Sequence, residues 1–362
     1  MQIIQDRREL HRIPELGCDL PKTREYVKKS LSGLGCRVFE PMAEAVCAFF
    51  DFGAKTALAF RADMDALPIQ ELNKTDYISR HSGRMHACGH DGHMAILLEL
   101  ARRMDRKETN PWNVLLVFQP AEETIGGAKF LCETGVFEEY AVEAVFGLHL
   151  WPGLEQGCVF SRKNELMARA SEINVDIYGK SAHIAKASEG VDAIAAGTEF
   201  FRRAMAMEAS LPASVYRLLK FGKFESGTVR NALSAHTHME GSLRAFQDEI
   251  FDGMKESLYA IGRELEAELG CWVEIDINSG YPAVMNPEEL YEKVRNVLDF
   301  QELKDPCMTA EDFAFYQRRL PGMFLFLGTG EGPALHTSNF DFDERVLNKG
   351  ADFFEKLAVN FR

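Results

Sequence analysis

Long apolar runs are missing from this sequence. None approaches the roughly 18 residues that cross a bilayer, and the amino-terminal stretch MQIIQDRRELHRIPE carries charge where a secretory leader needs an apolar segment. No membrane partner is expected, and the expected location is cytoplasmic. Positive charge is also in short supply, with 41 Lys and Arg against 55 Asp and Glu and a net charge of -14. Nucleic acids and anionic membranes are held by clustered basic side chains, so neither is an expected partner. The eight cysteines form no CxxC pair and no regular framework, as expected of reduced thiols in a long chain. Repeats, low-complexity tracts and long linkers are absent as well.

What is present is the composition of an ordinary globular protein, 46% hydrophobic and 27% charged, in a chain of 362 residues, long enough to bury a core and to divide in two. Short β-type apolar runs alternate with helical patterns: Ala57 to Asp65 (ALAFRADMD), Asn113 to Pro120 (NVLLVFQP), Ala144 to Leu150 (AVFGLHL) and Met323 to Gly328 (MFLFLG). Runs that are apolar on both faces and separated by helices predict an α/β layer with a mixed, mostly parallel sheet. After Cys88, the segment DGHMAILLELARRM predicts a helix capped by Asp91, with Met94, Leu97, Leu98 and Ala101 on one face.

The middle of the chain has a different rhythm. Strands at Ile173 to Gly179, His236 to Ala245 and Cys271 to Asn278 alternate with helices at Val191 to Met207 and Asp248 to Leu269. That order suits a small ferredoxin-like α+β unit of β-α-β-β-α-β type, covered on one face. The chain therefore divides into residues 1–167 with 281–362, around an inserted unit at 168–280.

Polar residues gather where the first set of strands ends. Asp63 and Asp65 close ALAFRADMD, Glu122 and Glu123 follow NVLLVFQPA, His149 ends AVFGLH, and His336 lies beyond MFLFLG. In an open α/β sheet the carboxyl ends of the strands line one crevice, where groups distant in sequence converge. The short stretch MHACGHD adds Cys88 and His90 at a loop entering a helix. Together Cys88, His90, Glu123, His149 and His336 offer one thiolate, three imidazoles and a carboxylate. Such a set suits one or two divalent ions per subunit, zinc or manganese first, with cobalt and nickel also admissible, and it does not suit calcium.

Any one of these histidines alone reads best as a packed core residue, and Glu122-Glu123 alone as a solvated acidic pair; their combination favours a metal centre. A metal lowers the pKa of bound water toward ~7, and a neighbouring carboxylate such as Glu122 can take the proton and return it to a leaving nitrogen. That is hydrolase chemistry. A structural metal in a non-catalytic binding protein would have no use for that second carboxylate. A redox role for Cys88 lacks a resolving cysteine nearby in sequence.

With these motifs in place, the sequence resembles the M20 peptidase family, in the amidohydrolase branch with aminoacylase-like, hippurate-hydrolase-like and N-acetyldiaminopimelate-deacetylase-like enzymes. The resemblance covers nearly the whole chain. It runs through RRELHRIPELG (Arg7 to Gly17), RADMDALPI (Arg61 to Ile69), MHACGHDGHM (Met85 to Met94), FQPAEE (Phe118 to Glu123), GLHLWP (Gly147 to Pro152), GTVRNAL (Gly227 to Leu233), GSLRAF (Gly241 to Phe246), EDFAFY (Glu311 to Tyr316) and LHTSNFDFDE (Leu335 to Glu344). Single matches of this kind are weak, and nine in order are specific.

The resemblance implies a catalytic metal-binding domain split by an inserted dimerisation or lid domain. It implies Cys88, His90, Glu123, His149 and His336 as metal ligands, Glu122 as the proton-shuttling glutamate and Asp65 as the acid that orients a metal-binding histidine. In GKSAH (Gly179 to His183), His183 would face the scissile carbonyl, in some members from the partner subunit, and stabilise an oxyanion. The chain then departs from its relatives, reading IAKASEG where they often carry a proline and a second histidine. Asn231 and Arg244 would lie near a substrate carboxylate. Glu311 would cap a helix or help position the ligands, and His86 and His93 would support or pack against the cluster. The implied reaction is metal-dependent hydrolysis of an N-acyl amino acid, most simply an N-acetyl one, by a homodimer. A dipeptidase or carboxypeptidase of the same family is the alternative.

Overall fold

Four strands, Asn113–Gln119, Ala57–Asp63, Val142–Trp151 and Gly322–Gly328, lie side by side in that order, all parallel. Three of the four are buried at every position, and the fourth is exposed only toward its ends. This is why the sequence shows continuous apolar runs there instead of alternation. Strands Val46–Phe50 and Arg37–Phe39 extend one side antiparallel. Strands Val159–Ser161 and Gln301–Glu302 extend the other, giving eight strands in all. The sheet is open, with helices Gln2–His11, His90–Asp105 and Val346–Asn360 packed over one face around Leu97, Leu100, Phe354 and Leu357.

A second, four-stranded sheet is antiparallel throughout, in the order Trp272–Ile277, Arg169–Tyr178, His236–Ala245, Arg217–Ser226. Its strands alternate: Ser171, Ile173, Val175 and Ile177 are buried, while their neighbours are not. Helices Ala193–Ser210 and Asp248–Leu269 bury that inward face through Phe200, Ala204, Leu258 and Leu265. Numbered along the chain, the strands stand fourth, first, third, second, a ferredoxin-like arrangement. The strand Arg217–Ser226, RLLKFGKFES, is the one the sequence hides, because as an edge strand it buries only Leu219.

The structure, a computed structural model, describes residues 1–362 and divides them into two units. The first holds Met1–Leu166, Met285–Pro306 and Asp312–Arg362; the second holds Met167–Val284 and Cys307–Glu311. The expected boundary at 281 moves to 285, and the segment Cys307–Glu311 leaves the larger part for the second unit. The reason is backbone pairing: Ala168 N–H donates to Cys307 O at 3.1 Å and to Thr309 O at 2.9 Å. Asp91 is likewise not the expected cap. Helix His90–Asp105 starts from Gly89 in the left-handed region at φ 89°, and the Asp91 carboxylate turns inward to Arg7 and His11.

Candidate metal centre

Each candidate ligand of the first unit sits at the carboxyl end of a parallel strand or on a loop tied to one. Gly89 puts Cys88 and His90 on either side of a tight turn, and a side chain there would come within 3.2 Å of Leu150. Glu122 and Glu123 follow Ala121, itself held at φ 58°. His149 is the antepenultimate residue of its strand. His336 has φ 61° and donates its main-chain N–H to Ala87 O at 2.8 Å, which fastens its loop to the cysteine loop. Left-handed backbone at a non-glycine residue costs about 1–3 kcal/mol and persists where surrounding structure imposes it.

These placements bring all five expected ligands together. The donor atoms of Cys88, His90 and His149 lie within 4.8 Å of one another, as do those of Cys88, Glu123 and His336 and those of His90, Glu122 and Glu123. Cys88 Sγ stands 3.4 Å from His149 Nε2 and 3.3 Å from His336 Nε2, and so belongs to two triads at once. The inward edges are left for a ligand. His149 spends Nδ1 on Leu150 O at 2.7 Å, and His90 spends Nδ1 on Asp65 O at 2.8 Å. His90 Nε2 is buried without a hydrogen-bond partner, 3.9 Å from Glu123 Oε1, which also stands 3.2 Å from His336 Nε2. Buried polar atoms seldom go unpaired, so an orphaned His90 Nε2 beside a carboxylate fits a cation between them.

The electrostatics agree. Burial pushes the Cys88 thiol well up, and Glu123 and Glu122 push it further in the same direction. Burial also lifts Asp65, to about 7, and holds His149 well below its ordinary value. A divalent ion bound there would offset the cost of deprotonating the Cys88 thiol and of keeping the buried carboxylates charged.

Asp65 acts differently from expectation. Its carboxylate is 3.8 Å from His90 Nδ1, and the ring is oriented by its main-chain oxygen. Its two carboxylate oxygens accept the main-chain N–H groups of Glu122 and Glu123, at 2.9 and 3.1 Å. Glu311 is not the expected cap, since helix Ala314–Gln317 begins at Phe313 with no side-chain cap.

In the second unit His183 is exposed and begins a short 3-10 helix, Ile184–Glu189, with Nδ1 accepting from Ala185 N–H at 3.2 Å. That acceptor role places the neutral ring's proton on Nε2, the outward edge. Asn231 is beside it, its carbonyl accepting from Ile184 N–H at 3.0 Å. Arg244 is not. It faces Ala170 at one end of the strand pair whose other end is His236 opposite Tyr178, roughly 26 Å away at 3.3 Å per residue. Its guanidinium donates to Met308 O at 2.5 Å and Ser242 Oγ at 3.1 Å.

A buried network beneath the ligands carries no motif of its own. Arg61 donates to Asp63 Oδ2 at 2.8 Å, Gln119 Oε1 at 2.8 Å and Asp312 Oδ1 at 2.7 Å, and Asp63 Oδ1 takes His93 Nδ1 at 2.6 Å. The signal for it was the pair of charged residues inside an otherwise apolar strand, ALAFRAD.

Known proteins resemble this chain over nearly its full length. An uncharacterized hydrolase of Staphylococcus epidermidis is 34% identical over 98% of this chain and 97% of its own length. A Bacillus subtilis structure described as a dinuclear metal binding peptidase of the M20 family superposes with a TM-score of 0.85 at 28% identity, covering 99% of this chain and 96% of that one. A structure from methicillin-resistant Staphylococcus aureus, described as an aminohydrolase, reaches 0.91 at 28% identity with the same coverage. The family model for peptidase family M20/M25/M40 matches residues 59–360. The chain belongs to that family, as a metal-dependent hydrolase of the amidohydrolase and peptidase class.

Proposed function

We propose that this enzyme hydrolyses the amide of N-acyl amino acids, N-acetyl ones first, releasing a carboxylate and a free amino acid. The observation that carries the reading is the position of Glu122, whose carboxylate lies in one cluster with the donor atoms of His90 and Glu123 while Asp65 pins its main chain. Cys88, His90 and His149 would hold one ion and Cys88, Glu123 and His336 a second, with zinc or manganese preferred by the mixed donor set. When bound, the metal supplies Lewis acidity and an acidified water.

The chain's own residues supply the rest. Glu122 takes the proton of the attacking water and delivers it to the leaving nitrogen. His183 presents Nε2–H, the donor that a developing oxyanion requires. Arg244 suits a substrate carboxylate by its paired donors. Because Arg244 sits at one end of the sheet while His183 lies in the segment paired beyond its other end, past Tyr178, a single copy of the second unit does not bring both to one small substrate. That separation supports a homodimer in which each site takes His183 and Asn231 from the partner copy. The apolar surface beside the edge strand supports it too, with Ile194 and Phe224 exposed at 45% and 43%.

Assay of purified, metal-analysed protein against N-acetyl amino acids and free dipeptides tests the reading. Preferential turnover of the N-acetyl compounds is expected. A preference for dipeptides, the substrate class to which the Bacillus subtilis neighbour's description as a peptidase points, would replace it.

A further inference from the structure

His93 is one helical turn from His90 and fully engaged. Its Nδ1 lies 2.6 Å from Asp63 Oδ1, and its Nε2 accepts the main-chain N–H of Leu150 at 2.9 Å. A peptide N–H only donates, so Nε2 carries a lone pair and the ring is neutral, protonated at Nδ1. The set Asp63, His90 and His93 is close enough to resemble a third ion site, but His93 has no lone pair left for a metal. Asp63 is equally committed, with Oδ2 on Arg61 at 2.8 Å.

The other main-chain group of Leu150 completes the arrangement, its carbonyl accepting from His149 Nδ1 at 2.7 Å. Leu150 is thus clamped between the His93 and His149 rings, which meet edge to face at 4.5 Å, and His93 is tilted against His90 at 5.4 Å. The helix can come this close because residue 92 is glycine. A Cβ there would fall 2.5 Å from Leu150 Cδ1 and 3.1 Å from Phe342.

We propose that His93 is a positioning residue: as a neutral imidazole protonated at Nδ1, it locks the strand end carrying His149 to the helix carrying His90, and so sets the distance between two metal ligands from different elements. Asp63, fixed by Arg61, selects the tautomer. The inference rests on the reading of His90 and His149 as ligands.

Cobalt(II) titration of His93→Ala, His93→Asn and His93→Gln is the test, read by affinity and by the cobalt d–d and thiolate-to-cobalt bands, with folding followed by thermal melting without metal. Gln can present an acceptor where Nε2 stood; Asn reaches only the Nδ1 position. Loss of such supporting contacts costs ~10- to 100-fold in metal affinity, so Ala and Asn should weaken binding by that much with altered bands, and Gln should stay within about threefold. Equal affinity and identical bands in all three variants would overturn the proposal, as would equal losses in Asn and Gln. An unaltered protein that shows no thiolate band would overturn the ligand reading along with it. Should the Ala variant fail to fold, side-chain nitrogen NMR at pH 7.5 decides: the resonance removed by His93→Gln must be that of a neutral ring protonated at Nδ1, and one protonated at Nε2 contradicts the proposal.

Discussion

The carboxylate of Asp65 closes on the main chain of Glu122, Oδ1 accepting its N–H at 2.9 Å while Oδ2 takes that of Glu123 at 3.1 Å. One acid thus fixes both the residue assigned to proton transfer and the residue assigned to metal binding. Asp65→Asn turns one acceptor into a donor facing an N–H. A fall of ~10- to 100-fold in kcat is expected from losing a contact of this kind, with the fold retained; unchanged kcat would show that the pinning is unimportant.

Glu122→Ala separates proton transfer from metal binding. A positioned acid–base group contributes ~10²- to 10⁴-fold, so turnover should drop by that factor while metal content stays at the wild-type level. Loss of metal in parallel with activity would instead make Glu122 a ligand.

Metal affinity should rise with pH. Burial, with Glu123 and Glu122, holds the apo Cys88 thiol well above its ordinary value, so binding must displace its proton. Below that raised value, each unit of pH should strengthen binding ~tenfold for the one proton released. Competition titrations between pH 7 and 9 measure the slope, and Cys88→Ser should reduce it by about one proton. An identical slope in the variant would contradict thiolate ligation.

On helix Gln2–His11, Arg7 is fully buried against Asp91, the residue after His90, at 2.9 Å, and against Asp341 at 2.8 Å and Glu344 at 3.3 Å. Burial works against the charge of Asp91, yet Arg7 and His11 outweigh it and keep the carboxyl well below the usual range. A depressed folded value adds stability above the unfolded pKa of ~3.9, and that stability disappears as pH falls through the folded value. Arg7→Met should cost ~3–5 kcal/mol at neutral pH, since it strands a buried carboxylate. In denaturant melts the gap between variant and wild type should narrow below about pH 4. A gap independent of pH would mean that packing, not charge, dominates.

Much of this was legible because two physical rules act locally. Strands buried on both faces must be apolar throughout, so ALAFRAD, NVLLVFQ and GMFLFLG announced the parallel sheet, and the polar residues just past their ends announced the site. The ferredoxin-like unit was readable from Ile173, Val175 and Ile177, which alternate with polar neighbours. The edge strand Arg217–Ser226 escaped because it buries too little to be patterned. The clamp of His93 on Leu150 escaped for another reason: it uses a main-chain group, and main-chain partners leave no trace in residue type. The same holds for Asp65, whose reach to the Glu122 and Glu123 peptides is visible only in three dimensions.

The central claim is that Cys88 joins two ligand triads around a pair of ions. Anomalous diffraction from crystals loaded with cobalt tests it directly. Two peaks are predicted, one among Cys88, His90 and His149 and one among Cys88, Glu123 and His336; peaks away from Cys88, or none, would contradict the account.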